Sequence, residues 1–136
     1  MRILALGGSG GMGRFSSFAI SAFQNISKVT IADLNENDAV EFANNFDDRF
    51  IGTGLDVSDI DKLEKVMKDH DVVINTTGPF FKYGVSILKS AIKCKCHYFD
   101  ICDDWEPTME MLKLSDEASK NDVTAIVGLG LSLIHI

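Results

Sequence analysis

Short apolar runs alternate along the chain with longer stretches in which apolar residues recur every three or four positions. The runs at Ile3–Leu6, Val29–Ala32, Phe50–Leu55, Val72–Asn75, His97–Ile101 and Thr124–Val127 predict six strands. The fourth is nearly all apolar, as a central parallel strand buried on both faces must be. Five helices are predicted between them. The first runs to about Gln24, with Phe15, Phe18, Ala19 and Ala22 facing the sheet. The second starts at Asn35, a good capping residue, and runs to about Asn45 with Val40, Phe42 and Ala43 inward. Ser58 or Asp59 caps the third, whose stripe is Ile60, Leu63, Val66 and Met67. A fourth spans about Val85 to Lys93. A fifth spans about Pro107 to Lys120, with Met111, Leu114 and Ala118 inward. Strand and helix in strict alternation, with short loops, predict an α/β fold with a doubly wound parallel sheet. Right-handed crossovers and a reversal after the third strand give the order 3-2-1-4-5-6. Ligands then bind at the carboxyl ends, between the first and fourth strands.

The stretch that gives this sheet a chemistry is Arg2 to Gly13, R-I-L-A-L-G-G-S-G-G-M-G. A buried strand breaks into glycines and then into a helix, the order of a dinucleotide-binding βαβ unit of the Rossmann fold. Gly8, Gly10 and Gly13 fit G-x-G-x-x-G: a sharp turn, an open approach for a pyrophosphate, and close helix–strand packing. Gly7, Gly10 and Gly13 fit G-x-x-G-x-x-G, the spacing of short-chain dehydrogenases, equally well. Ser9, Gly10, Gly11, Met12 and Gly13 are expected around the pyrophosphate, held by free N–H groups and the positive end of the helix dipole. Asp33 closes the second strand 20 residues past Gly13 and is placed to hold the adenosine ribose hydroxyls. Its charge repels a 2′-phosphate, and Leu34, Asn35 and Glu36 follow with no arginine. NAD is therefore expected over NADP. Asp56 and Val57 end the third strand, where the adenine is expected, and Asp56 either accepts from the adenine amino group or serves as a loop or capping aspartate. The backbone of Thr76, Thr77, Gly78 and Pro79, at the end of the fourth, is expected to line the nicotinamide side. Phe80, Phe81 and Tyr83 either shape that wall or pack against the next helix.

Composition narrows the partners. The chain has 136 residues, 46% hydrophobic and 24% charged, which suits one domain with a real core. A net charge of −7 argues against nucleic acid and anionic membranes as partners. No apolar run approaches the roughly 20 residues of a membrane span. Cys94, Cys96 and Cys102 are read as free thiols in a reducing, cytoplasmic setting. Cys94, Cys96 and His97 suggest a metal triplet, but their spacing is not that of a zinc site, and no metal is expected. Asp100, Asp103, Asp104 and Glu106 follow the fifth strand as an acidic cluster, expected to be a solvated loop, the alternative being a contact to substrate or to the missing domain.

Several segments together resemble the N-terminal nucleotide-binding domain of saccharopine dehydrogenase-like oxidoreductases. They are Gly7-Gly-Ser-Gly-Gly-Met-Gly13, Ile31-Ala-Asp33, Asp56-Val57, Asn75-Thr-Thr-Gly-Pro-Phe-Phe81, Tyr83-Gly84 and His97-Tyr-Phe-Asp-Ile-Cys-Asp-Asp-Trp-Glu-Pro107. The resemblance implies that residues 1–130 form an NAD(P)-binding domain and that a larger catalytic domain follows in the parent protein. It also implies hydride transfer to or from an amino-acid-derived imine or amine held by that second domain. The catalytic residues would lie mostly there, so none is named in this chain, and the chain alone is expected to bind cofactor without turnover. A homodimer of the full-length protein is left open. After Gly128-Leu-Gly130 the chain departs from its relatives and reads Leu131-Ser-Leu-Ile-His-Ile136. Those residues match the translation of a transposase end sequence used in sequencing libraries. They are expected to be a non-native tail, the alternative being a genuine C-terminal strand.

Two rivals stand beside this reading. An atypical short-chain dehydrogenase or reductase would carry Tyr-x-x-x-Lys, but Tyr83 is followed four later by Ile87 and Tyr98 by Cys102. A non-enzymatic NAD(P)-sensing module would need only the nucleotide site.

Overall fold

The computed structural model describes residues 1–129. Gly130 and the proposed tail, residues 131–136, lie outside the described residues. Six strands form one parallel sheet: β1 (Arg2–Leu6), β2 (Lys28–Asp33), β3 (Phe50–Gly54), β4 (Val72–Asn75), β5 (His97–Asp100) and β6 (Ala125–Ile126). Their order is β3-β2-β1-β4-β5-β6, and every neighbouring pair is parallel. This is the doubly wound order expected from the alternation of elements. The helices are α1 (Gly11–Ser21), α2 (Glu36–Ala43), α3 (Ile60–Met67), α4 (Phe80–Lys93), α5 (Trp105–Leu112) and α6 (Ser115–Lys120). No helix among the described residues is long and apolar enough to cross a membrane.

Two layers of core sandwich the sheet. Ile3, Ala5, Val29 and Ile31 point to one side, where Ile20, Ala39, Phe42 and Phe50 join them. Leu4, Leu6, Val73 and Tyr98 point to the other, against Leu63, Met67, Ile87, Leu88 and Met111. Strand residues alternate between the two layers because successive side chains leave a strand on opposite faces. Asn35 caps α2 by accepting hydrogen bonds from the Asn37 and Asp38 N–H groups, and Asp59 caps α3 through Lys62 N–H.

Four expected details come out differently. The inward face of α1 is Gly13, Ser17 and Ile20, not the Phe15, Phe18, Ala19, Ala22 stripe. Phe15 is 72% exposed and Phe18 57% exposed. The first turns of the helix lie so close to the glycine loop that only Gly13 and Ser17 fit there, with Ile20 buried farther along, and apolar periodicity alone selects the larger residues. Phe18 instead packs sideways against α2, with ring centroids 5.9 Å from Phe42 and 5.2 Å from Phe46. In α2 the inward residues are Ala39, Phe42 and Ala43, while Val40 is partly exposed. Helix α4 begins at Phe80, one residue after Pro79, so Phe80 and Phe81 belong to its first turn. The expected fifth helix is two, α5 and α6, which break at Lys113–Leu114; Met111 and Ala118 are buried as expected.

One buried polar pair links strand to helix. His70 Nδ1 lies 2.7 Å from the Val66 carbonyl, so it carries the proton, and Nε2 accepts from the Thr30 hydroxyl at 2.7 Å. Burial holds the His70 imidazole below its ordinary 6.5, partly offset by the Val66 carbonyl. The unfolded chain then binds the extra proton first, so stability present above pH ~6.5 is lost as the pH falls below it. A His70→Gln variant is expected to flatten the urea-midpoint profile between about pH 7 and pH 5. An unchanged slope in that variant would assign the acid sensitivity to other groups.

Candidate functional site

The site is built where β1 and β4 run side by side and end. Strand β1 passes directly into Gly7, whose φ of +68° is the left-handed conformation that L side chains rarely adopt. The sharp turn therefore falls at Gly7 rather than at Gly8. Gly7 and Gly8 N–H both reach the Ala32 carbonyl, at 2.9 and 3.3 Å, which ties the loop to the end of β2. Helix α1 then starts at Gly11 with Gly10 as its cap. No side chain caps it, and its first turn holds no acidic residue. Helices α2 and α3 are capped by side chains. The α1 N-terminus is thus the one of these three whose N–H groups and positive dipole end are left for an anion.

Gly7, Gly10, Asp33, Asp56, Val57, Thr76, Thr77 and Gly78 line a single cleft of about 290 Å³, together with Ala32, Leu34, Leu55 and Tyr83. The ends of β1, β2, β3 and β4 thus meet in one place. Gly8, Ser9, Gly11, Met12, Gly13 and Pro79 lie beside the cleft rather than in its lining. Ser9 is buried, and its hydroxyl donates to Asp33 Oδ2 at 2.6 Å. Leu34 N–H donates to Asp33 Oδ1 at 2.8 Å. Both carboxylate oxygens are therefore oriented before any ligand arrives. Met12 is 44% exposed. Arg14 folds back over the loop: Nε donates to the Ser9 carbonyl at 2.7 Å and the guanidinium lies 4.6 Å from the Phe42 ring centroid. The link from Ser9 to Asp33 has no signal in the sequence, because it depends on the loop and β2 being adjacent in space.

Asp56 Oδ1 accepts from Ser58 Oγ at 2.6 Å and Ser58 N–H at 2.9 Å, a tight turn at the end of β3. Those bonds, the hydroxyl first, hold the carboxyl below its ordinary value. Of the three aromatics after β4, Tyr83 reaches the cleft. Phe80 is buried in the core beneath α4, and Phe81 is 71% exposed. The loop after β4 is held by Thr76 Oγ1, which donates to the Leu6 carbonyl at 2.9 Å, and by Thr77 N–H, which donates to Asn75 Oδ1 at 2.9 Å. Thr77 Oγ1 is buried and has no hydrogen-bond partner among the described residues. An orphaned hydroxyl in the wall of a cleft costs roughly 1–3 kcal/mol, which a bound polar group can offset. Glycine cradle, uncapped helix start, paired acceptors at the ribose position and this hydroxyl together fit a dinucleotide.

The cysteines lie away from the cleft. Cys94, Cys96 and Cys102 are free thiols. Cys96 Sγ donates to the Met67 and His70 carbonyls at 3.2 Å each, and burial raises that thiol to about 11. Of the acidic cluster, Asp100 is not a solvated loop residue: it is 1% exposed, while Asp103 is exposed. Tyr98 Oη donates to its Oδ2 at 2.8 Å, and Cys102 and Gly128 N–H donate to its Oδ1 at 3.0 and 2.8 Å. The tyrosine two residues earlier, on the same strand face, is the sequence signal that separates Asp100 from its exposed neighbours.

Comparison with known proteins agrees with this geometry. A family model described as the saccharopine dehydrogenase NADP-binding domain matches residues 3–126. The apo saccharopine dehydrogenase (L-Glu forming) of Saccharomyces cerevisiae is 28% identical with a TM-score of 0.79, the match covering 96% of this chain and 27% of that one. A myo-inositol dehydrogenase, so described provisionally, from Sinorhizobium meliloti is 23% identical at a TM-score of 0.69, covering 94% and 36%. A short-chain dehydrogenase from Streptomyces avermitilis is 16% identical at 0.66, covering 93% and 63%. The last two share the fold alone. The chain therefore spans between about a quarter and two thirds of the length of these relatives. The described residues, their glycine loop and the matched span together make this chain a member of the saccharopine dehydrogenase NADP-binding domain family.

Proposed function

We propose that this domain holds a nicotinamide dinucleotide for an oxidoreductase whose second domain presents an amino-acid-derived imine or amine. The observation that carries the reading is the single cleft in which the glycine loop, Asp33, Asp56 and the Thr76–Gly78 loop converge. When bound, the dinucleotide supplies or accepts the hydride. The chain's own residues bind and orient it. The α1 N-terminus holds the pyrophosphate, Asp33 the adenosine ribose, and the β4 loop the nicotinamide side. No residue of this chain is assigned to proton transfer, and the chain alone is expected to bind without turnover.

NAD is the proposed preference, although the family takes its description from NADP. The cleft lining holds two carboxylates, Asp33 and Asp56, and no lysine or arginine. A 2′-phosphate placed against Asp33 would meet like charge with no counter-charge in that lining. Calorimetric titration of the 136-residue chain with NADH and NADPH tests both statements. Tighter NADH binding is expected. The Asp33→Ser variant is expected to shift the NADPH-to-NADH affinity ratio roughly tenfold toward NADPH, about 1.4 kcal/mol. A ratio that does not move removes Asp33 as the selector. Binding of neither nucleotide by a folded chain, checked by circular dichroism, removes the cofactor reading itself.

A further inference from the structure

Three buried polar side chains at the carboxyl ends of β4 and β5 form one chain of hydrogen bonds. Asn75, Tyr98 and Asp100 are each essentially inaccessible. Asn75 is the last residue of β4 and lies in register with Asp100, the last residue of β5. Asn75 Nδ2 donates to Tyr98 Oη at 3.0 Å, and Tyr98 Oη donates to Asp100 Oδ2 at 2.8 Å. Both ends of this chain finish on loop backbone. At one end Asn75 Oδ1 accepts from Thr77 N–H at 2.9 Å. At the other, Asp100 Oδ1 accepts from Cys102 N–H after β5 and from Gly128 N–H after β6. The Asp100 carbonyl also accepts from Leu129 N–H at 2.8 Å.

A buried carboxylate inside an apolar core is costly unless its acceptors are filled, and here they are filled by one phenol and two backbone N–H groups. Stability alone does not call for such a group. Packed apolar residues of similar volume serve a core as well or better. What the network adds is register, because it fixes the backbone after three successive strands relative to one another. The loop it fixes after β4 carries Thr77, which lines the nucleotide cleft and whose buried hydroxyl has no hydrogen-bond partner among the described residues.

We infer that Asn75, Tyr98 and Asp100 form a positioning device for the nicotinamide half of the cofactor site, and that Thr77 Oγ1 is the polar contact it presents there. The inference rests on the dinucleotide reading above. The adenine half is set mainly by the glycine loop, Asp33 and Asp56, and Thr76 Oγ1, 3.1 Å from the Gly7 carbonyl, is where the two loops touch. The two halves are therefore separable by ligand: ADP tests the adenine side and pyrophosphate, and the intact dinucleotide tests both.

The test titrates ADP, NADH and NADPH into the wild-type chain and into Tyr98→Phe and Thr77→Val. Tyr98→Phe leaves Asn75 Nδ2 and Asp100 Oδ2 without their shared partner. It is expected to weaken the tighter-binding dinucleotide about tenfold while ADP affinity stays within about twofold. Thr77→Val removes only the orphaned hydroxyl and keeps the shape. It is expected to leave the melting temperature unchanged or raise it, yet to weaken the dinucleotide three- to tenfold with ADP unaffected. A merely structural role would move stability, and would move ADP and dinucleotide together. Parallel loss of ADP and dinucleotide in Tyr98→Phe, or unchanged dinucleotide affinity in Thr77→Val, overturns the assignment. If Tyr98→Phe does not fold, Thr77→Val decides alone. If the wild-type chain is folded and binds none of the three nucleotides, the cofactor reading fails first and this inference falls with it.

Discussion

Gly13→Ala is expected to lower the stability of the domain by about 3 kcal/mol and to remove measurable dinucleotide binding. A Cβ at Gly13 would overlap the Gly7 carbonyl oxygen and stand 2.7 Å from Gly8 Cα and 2.8 Å from Gly8 C. All three are backbone atoms of the loop proposed to face the pyrophosphate, so no side chain can rotate away. Either α1 withdraws from β1 or the loop deforms. Withdrawal opens a gap beneath Ser17 and Ile20, which are buried under the helix. Deformation moves the Gly7 and Gly8 N–H groups off the Ala32 carbonyl and with them the anion site. Urea unfolding and a calorimetric titration with NADH measure the two losses. A variant that melts and binds like wild type would mean that α1 does not approach the loop this closely. Gly11→Ala is the control for the stability loss alone, since a Cβ there meets no protein atom within 4 Å.

Gly52→Ala is expected to cost a similar amount, about 3 kcal/mol, by a different route. Gly52 lies in the middle of β3, and a Cβ there would fall inside the backbone of Ala39 and Val40 in α2. The helix crosses the strand at the distance a glycine permits. Moving α2 away disturbs Ala39, Phe42 and Ala43, which are buried beneath it. It also pulls on Asn35, which caps α2 and follows Asp33 by two residues. Adenine-side affinity, read with ADP, should fall along with stability. Because the clash is with backbone, the double variant Gly52→Ala/Val40→Ala is expected to be no more stable than the single one. Rescue by Val40→Ala would show that the contact lies in the side chain and would sink the argument.

These two glycines mark where the sequence is legible. At Gly13 the spacing from Gly7 and Gly8, followed by a helix, is a recognisable pattern, and close helix–strand packing follows from it. At Gly52 the same residue reads only as a weak point in a strand. Nothing local says that a helix from earlier in the chain will lie against it. The phenylalanines show the same limit from the other side. Phe15 and Phe18 have the spacing of an inward stripe, but the face turned to the sheet is Gly13, Ser17 and Ile20. Apolar size predicts burial only where there is room for the side chain.

Asp33, Asp56 and Thr76 to Gly78 were legible as cleft residues because each ends a strand, and in a parallel sheet all strand ends point the same way. What Ser9 does, by contrast, was not. Its position in the glycine loop suggests a pyrophosphate contact, and its hydroxyl is turned to Asp33. Asp100 likewise stands among acidic residues of a polar loop and is instead the buried terminus of a hydrogen-bonded chain.

By itself, the sequence determined the class of fold and the order of the strands, and it pointed to the end of the sheet and the glycine loop proposed to hold the cofactor. All of these follow from local periodicity, from chirality and from the alternation of strand and helix. Only the tertiary structure decided which face of α1 is inward, which glycine makes the turn, and which polar groups are joined across strands. Those depend on distances between segments far apart in the chain. No window of neighbouring residues contains such distances.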